Sequence, residues 1–326
     1  MKGFLHIDFS NGPECLEVQD LISGQVYEVF ENILSGSFGE KFEADLASRR
    51  IGKEININNG LVWLQKGWDG SLPLYLASRH VNYLDAGIDR DSVLNEIFGR
   101  YITKGSYPNS GARKHKVVRY YNFNKVSTLS KEWNSQYKYA MLTRRSVRSF
   151  VGKTLKRHVF LNILANSIAK IGETIAEAKR LGGVHQYTQS YGCAFNIYIV
   201  SYNTDGIRDG VYWVDKARSV MELFKEGNFR VEMSNVNWGM IAPLTANYTV
   251  ILTVEPKNYA WRYRHDRALR NLMIEAGRIM HEFVIAAGCF GVQGVVTPAT
   301  NDEMLGSIVD IVEDEIPFYT GSFGVS

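Results

Sequence analysis

The feature that most constrains the fold is a long apolar stripe that stops at a glycine and runs straight into strand-like sequence. Across 266–287, Leu269, Leu272, Met273, Ala276, Ile279, Met280, Phe283, Val284 and Ala287 recur at spacings of three and four. This pattern predicts a helix with a wide buried face. Gly288 ends it, and 291–296 then reads as a strand. The run YTVILTV (248–254) is apolar on both faces, as in a central, doubly covered strand. Further strands are predicted over 194–202, 210–214 and 318–323. A second helix is expected over 155–171, with Val159, Ile163, Leu164 and Ile168 on one side. Helices that bury one stripe against such strands make a layered α+β domain.

The sequence ahead of this domain is mixed. Between Cys15 and Leu34, the residues Leu16, Val18, Leu21, Val26, Val29, Phe30 and Ile33 suggest a helix. Two short strands around Asn59-Gly60 predict a hairpin over 52–67. Asp91-Ser92 opens a short helix over 93–102, with Leu94, Ile97 and Phe98 on one face. Small helices plus a hairpin suggest an α/β module of winged-helix size. The expected organisation is an N-terminal module over 1–105 that binds a peptide or a partner, a connector over 106–142 and a main domain over 143–326.

Composition excludes several classes. With 45% hydrophobic and 22% charged residues, the 326-residue chain is neither disordered nor fibrous. A net charge of +3 is too mild to imply nucleic-acid binding. The window 101–150 does hold eleven Lys or Arg against one acid, Glu132, which reads as a solvated basic face or a nucleic-acid patch without a binding motif. Cys15, Cys193 and Cys289 share no CxxC spacing, so neither a disulfide scaffold nor a zinc site is expected. The seven histidines (His6, His80, His115, His158, His185, His265 and His281) have no metal-ligand spacing. The first residues lack a signal-peptide core and no apolar run is long enough to span a bilayer. A cytoplasmic chain without a metal, a nucleic acid or a membrane partner is the expectation. Dinucleotide, P-loop, zinc-protease and hydrolase fingerprints are all absent.

The cluster with chemistry of its own is Arg144-Arg145-Ser146-Val147-Arg148-Ser149-Phe150. Guanidinium forks match phosphate oxygens, and Phe150 would anchor the segment in the core. Downstream, the polar turn QSYGC (189–193) feeds a strand, and the strand GVQGVV (291–296) runs into the loop Thr297-Pro298-Ala299. Loops at strand ends offer backbone groups to a flat ligand.

These segments carry a resemblance. RRSVRSF resembles the N-terminal FMN-binding signature of the nitroreductase fold. The order that follows is similar to the SagB- and McbC-type dehydrogenases, the azoline oxidases of thiazole/oxazole peptide biosynthesis. The matched segments are QSYGCAFNIYIV with Ser190 and Gly192, IRDGVYWVDKARSVMELFKEG, the helix region 262–296 with Arg270, Glu275 and Gly277, and the closing PFYTGSFG. Upstream, YYNFNKVSTLSKEW resembles the segment preceding the nitroreductase part, so the resemblance covers about 120–326 of this sequence.

The resemblance implies a nitroreductase-like FMN domain in a homodimer, with the cofactor at the subunit interface. By it, Arg144, Arg145, Ser146 and Arg148 would hold the phosphate and ribityl chain of FMN. Gln189, Ser190 and Gly192 would contact the flavin, and Thr297, Pro298 and Ala299 would lie beside the isoalloxazine. The implied activity is oxidation of an azoline to an azole in a ribosomally made precursor peptide, alongside a cyclodehydratase (heterocyclase) partner, with dioxygen reoxidising the flavin. The sequence departs from the pattern where the azoline oxidases carry a Lys-Tyr pair, because here Arg262-Tyr263 stands. Arginine stays protonated at working pH, so proton transfer would fall to Tyr263, whose phenol, normally near pKa about 10, would need lowering by Arg262 or Arg264. The other reading is that Tyr263 only packs. His281 replaces the usual Gln, and no Lys or Arg follows Arg278. Alternative functions are an NAD(P)H-dependent small-molecule reductase and a scaffold subunit without turnover.

Overall fold

The computed structural model describes residues 5–8, 15–20, 26–30, 95, 116–123, 133–186, 192–256, 259, 263, 268–311 and 315–326. Two compact units are present, one of Met1–Leu84 with His265–Arg270, the other of Asp85–Arg264 with Asn271–Ser326.

In the first unit, β1 (Leu5–Asp8), β2 (Cys15–Asp20) and β3 (Val26–Phe30) form an antiparallel sheet in that order. Leu5 pairs with Asp20, and Cys15 with Phe30. The helix expected between Cys15 and Leu34 is therefore two strands. Leu16 and Val18 alternate with Glu17 and Gln19, a period of two, and Ser23-Gly24 breaks the run between the strands. The hairpin expected over 52–67 lies outside the described residues. Within the helix expected over 93–102, Asn95 is helical.

The second unit is built on a seven-stranded sheet in the order β4-β7-β6-β5-β8-β10-β9. Its strands are β4 (Arg119–Asn122), β5 (Phe195–Ser201), β6 (Gly210–Asp215), β7 (Val220–Glu226), β8 (Tyr248–Val254), β9 (Val292–Thr297) and β10 (Ile316–Val325). Every neighbouring pair is antiparallel. All seven residues of β8 are buried, as its unbroken apolar run requires.

The helices are α1 (Trp133–Thr143), α2 (Arg157–Leu181), α3 (Arg230–Val236), α4 (Ala242–Thr245), α5 (Ala268–Cys289) and α6 (Asp302–Val309). They cover both faces of the sheet. On one face Phe160 of α2 meets the Tyr248 ring edge-on at 5.0 Å, Tyr248 stacks on Phe323 at 5.2 Å, and Met280 of α5 closes over Gly321. On the other, Met233, Val236, Ala242, Leu305, Ile308 and Val309 from α3, α4 and α6 pack with Tyr198, Val200, Ile251 and Val295. The second unit thus has an α+β architecture with helices on both sides of the sheet.

Helix α2 runs ten residues past the expected end. The continuation TIAEAKRL is rich in good helix formers, and Gly182, at φ +70°, ends it. By length and composition α2 is apolar enough to cross a bilayer, but it sends Phe160, Ile163, Leu164, Ile168 and Ile171 into the core.

Candidate functional site

One end of the sheet gathers most of the chemistry. Phe195 opens β5 opposite Val254, the last residue of β8, and Ile316 opens β10 opposite the same Val254. Thr297 ends β9 opposite Thr320. The turn at Gly192, the loop after Thr297 and the chain leaving β8 toward Tyr259 and Tyr263 all lie toward this end.

The arginine segment reaches the site along β9. As the chain leaves α1, Ser146 forms a parallel bridge to Gly294. The Val147 amide donates to the Gly294 carbonyl at 3.2 Å, and the Arg145 amide to Gln293 Oε1 at 3.5 Å. Val147 and buried Phe150 pack into the core. The Phe150 amide donates to Thr245 Oγ1 at 3.1 Å. A Cβ on Gly324 would come within 2.7 Å of the Phe150 ring, so the anchor fits only against glycine. With Val147 and Phe150 turned inward, Ser146 and Arg148 stand exposed and Arg144 is half-buried.

The three guanidiniums differ in role. Arg145 turns back to donate to the carbonyls of Arg144 at 2.9 Å and Leu142 at 3.5 Å, a cation placed on the negative end of α1. Arg144 and Arg148 form no ion pair among the described residues. Two guanidiniums without an acidic partner among the described residues and the Ser146 hydroxyl on one edge make a donor set that fits a phosphate group.

Gly294 and Thr297 are three residues apart, about 10 Å along the strand, so the arginine edge and the loop Thr297-Pro298-Ala299 share β9. The Ala299 amide donates to Thr297 Oγ1 at 3.1 Å, and Thr320 Oγ1 donates to the Thr297 carbonyl at 3.2 Å. Pro298 and Ala299 are exposed. Asn301 caps α6 by accepting from the Met304 amide at 3.1 Å. Gly192 lies in the turn ahead of β5, and β5 is three strand spacings from β9, or about 14 Å across the sheet.

Gly192 is held against α5. Its amide donates to Glu275 Oε2 at 3.2 Å. At φ +80° an added Cβ would lie 2.5 Å from Ile279 Cδ1 and 3.3 Å from a terminal nitrogen of Arg278. Only glycine meets both conditions. Gln189, Ser190 and Arg262, three of the expected site residues, lie outside the described residues, as does Tyr191. Tyr263 is half-buried; its amide donates to the Tyr259 carbonyl at 3.0 Å and the two rings lie 4.7 Å apart. His281, which replaces the usual Gln, is exposed on α5. At the end of α5, burial pushes the Cys289 thiol up to about 11, so it stays protonated near neutral pH and offers no thiolate nucleophile.

Three comparisons with known proteins bear on this arrangement. No family model matches the chain. A curated relative, the trifolitoxin operon protein TfxC of Rhizobium leguminosarum bv. trifolii, is 25% identical over 296 residues, covering 86% of this chain and 76% of the relative. Among solved structures, a protein of Anabaena variabilis assigned to the nitroreductases superposes with a TM-score of 0.54 at 18% identity. That match covers 66% of this chain, which spans 45% of the Anabaena protein's length. The chain has the nitroreductase fold. A chain of the Escherichia coli microcin synthetase McbBCD complex, with truncated pro-MccB17 bound, superposes at a TM-score of 0.45 and 14% identity over 77% of this chain and 86% of its own.

Two charged residues of the site are not visible as such in sequence. Lys216, in the β6–β7 turn, donates its ammonium to the carbonyls of Cys193, at 2.8 Å, and Phe195. Glu315, buried just before β10, accepts from Asn196 Nδ2 at 3.0 Å, from the Tyr198 hydroxyl at 3.2 Å and from Thr253 Oγ1. In sequence Lys216 is an ordinary turn lysine and Glu315 the last acid of the run EDE. Their partners lie at least 20 residues away, so no local spacing reveals them. The one hint is an acid directly ahead of a strand otherwise without charge.

Proposed function

We propose that this chain is an FMN-dependent dehydrogenase that converts a peptide-borne azoline to an azole during biosynthesis of a ribosomally made modified peptide, with dioxygen as the terminal oxidant. The observation that carries the reading is the arginine edge, in which Ser146, flanked by Arg144 and Arg148, bridges to Gly294 on a nitroreductase-fold sheet, a cationic donor set suited to a phosphate. The relative in the operon of a toxin, trifolitoxin, supports a biosynthetic setting.

In this reading Arg144, Arg148 and Ser146 bind the phosphate, while Arg145 stiffens the segment by closing α1. Gly192, with Gln189 and Ser190 before it, and the loop Thr297-Pro298-Ala299 border the ring system. FMN, when bound, supplies the two-electron acceptor chemistry that no side chain offers. The chain's own work is to hold the azoline in line, to exclude water and to take the second hydrogen as a proton, which we assign to Tyr263 Oη. The Tyr259 ring packed on Tyr263 would fix that phenol's position. Arg262, its sequence neighbour, would supply positive charge. The substrate is a precursor peptide delivered by a cyclodehydratase-type partner, and the N-terminal module, 1–105, is the segment we assign to peptide or partner binding. The working unit is a homodimer in the cytoplasm, with FMN at the subunit interface.

The test is to incubate the FMN-loaded protein with an azoline-containing peptide in air and follow the peptide's mass. Loss of two hydrogens per ring without added NAD(P)H supports the reading. NAD(P)H consumption with a nitroaromatic or other small acceptor, and an unchanged peptide, would replace it with the small-molecule reductase. No turnover in either assay would leave a scaffold.

A further inference from the structure

We infer that Lys216 is a positioning residue, an ammonium clamp that sets the shape of the turn Gly192–Phe195 and through it the affinity for FMN. The inference rests on the FMN reading above and adds to it a residue of the β6–β7 hairpin.

The argument starts from what a sharp turn leaves unsatisfied. At Gly192 the chain adopts φ +80° and then enters β5 at Phe195. Such a turn points amides and carbonyls out of the ladder, and each needs a partner. Three of them find a charged partner of the sign that suits them. The Gly192 amide meets the Glu275 carboxylate at 3.2 Å, and the Cys193 and Phe195 carbonyls meet the Lys216 ammonium. The next side chain, Asn196, is held by the buried carboxylate of Glu315 at 3.0 Å. Four of the five positions from Gly192 to Asn196 are therefore bracketed by charged groups from α5, from the β6–β7 turn and from just before β10.

The base from which Lys216 reaches is itself rigid. Asp215 Oδ1 accepts from the amides of Ala217 at 3.0 Å and Arg218 at 2.9 Å, which closes the hairpin turn. Arg218 pairs with both Asp215 and Glu222. A Cβ on Gly172 of α2 would lie 3.5 Å from the Lys216 carbonyl, so α2 closes over the hairpin at ordinary contact distance. A lysine loses much side-chain entropy when it is fixed. Spending that on two turn carbonyls, which water would otherwise satisfy, makes sense where the turn's shape matters to a ligand.

A second lysine gives the control. Lys225 clamps the far end of α6 in the same manner, donating to Ser307 O at 3.0 Å, Ile308 O at 3.1 Å and Asp310 Oδ1 at 2.7 Å. Three variants, Lys216→Met, Lys216→Arg and Lys225→Met, are compared with wild type. Two readouts are taken: amide hydrogen exchange across 192–196 in flavin-free protein, and FMN affinity by fluorescence quenching. Because hydrogen bonds from a charged donor are the strong ones, Lys216→Met is expected to speed exchange in the turn and weaken FMN binding by about tenfold or more. Lys216→Arg, which keeps the cation and its donors, is expected to recover most of both. Lys225→Met is expected to change neither. If Lys216→Met does not fold, Lys216→Gln is read in the same way.

An unchanged turn, or a loosened turn with wild-type FMN affinity, overturns the inference. So does an equal loss in Lys225→Met, or an arginine variant as weak as the methionine one. If wild type takes up no FMN while Lys216→Met still loosens the turn, the clamp stands and the FMN reading falls. If wild type binds FMN and Lys216→Met matches it, the clamp alone falls.

Discussion

Gly192 shows how much a single position can fix. Its φ of +80° disfavours any L side chain, and the nearest atom of Ile279 would sit 2.5 Å from a new Cβ. Gly192→Ala is therefore expected to lower stability by about 1–3 kcal/mol, measured by urea unfolding, and to weaken FMN binding in the protein that remains folded. A fully wild-type unfolding curve would mean that the turn relaxes freely. Tyr263 carries a different demand. Tyr263→Phe keeps the ring on Tyr259 and removes only the hydroxyl, so a lost proton acceptor shows as turnover lowered by about 100- to 10,000-fold with FMN still bound. Wild-type turnover on the azoline peptide would move the role to another group, with His281 and Tyr191 next in line.

At the scale of elements, the loop after β9 depends on the cap of α6. Asn301 accepts from the Met304 amide, so Asn301→Ala should cost about 1 kcal/mol, read from the denaturation midpoint, with the larger exchange rates confined to α6 and the loop 297–299. A midpoint equal to wild type would show that the helix needs no cap. The elements best read from sequence are those whose apolar pattern is unambiguous. The stripe of 266–287 gives α5, and YTVILTV gives the buried strand β8. The segment around Cys15 misleads because a seven-residue list of apolar positions fits both periods, and the antiparallel pairing of β2 with β3 decides between them. The strand β7, VMELFKE, is hard to read from sequence because its alternation is blurred at Glu222 and Lys225, which pair with Arg218 of the preceding turn and with Asp310. In the site, Arg144, Ser146 and Arg148 are legible as a cluster. That Arg145 turns back to close α1 depends on where α1 ends, and that Lys216 and Glu315 join the sheet end depends on long-range pairing that spacing cannot encode.

At the scale of the molecule, the reading requires a dimer. Met273 and Ile274 of α5 are exposed, an apolar surface that a second copy would cover. Sedimentation at micromolar concentration should give a homodimer, and Met273→Asp with Ile274→Asp should shift it to monomer. A wild-type monomer that retains flavin would contradict this assembly. Because this account puts FMN at the subunit interface, FMN binding and assembly are tied together in it and should be lost together in the aspartate variant.

The most direct test of the central claim is the flavin content of the purified protein, read from its visible absorbance, beside that of the double variant Arg144→Ala with Arg148→Ala. The account predicts a yellow wild type that carries FMN and a folded, largely colourless variant. A colourless wild type that takes up no added FMN, or a double variant with full flavin occupancy, would contradict it.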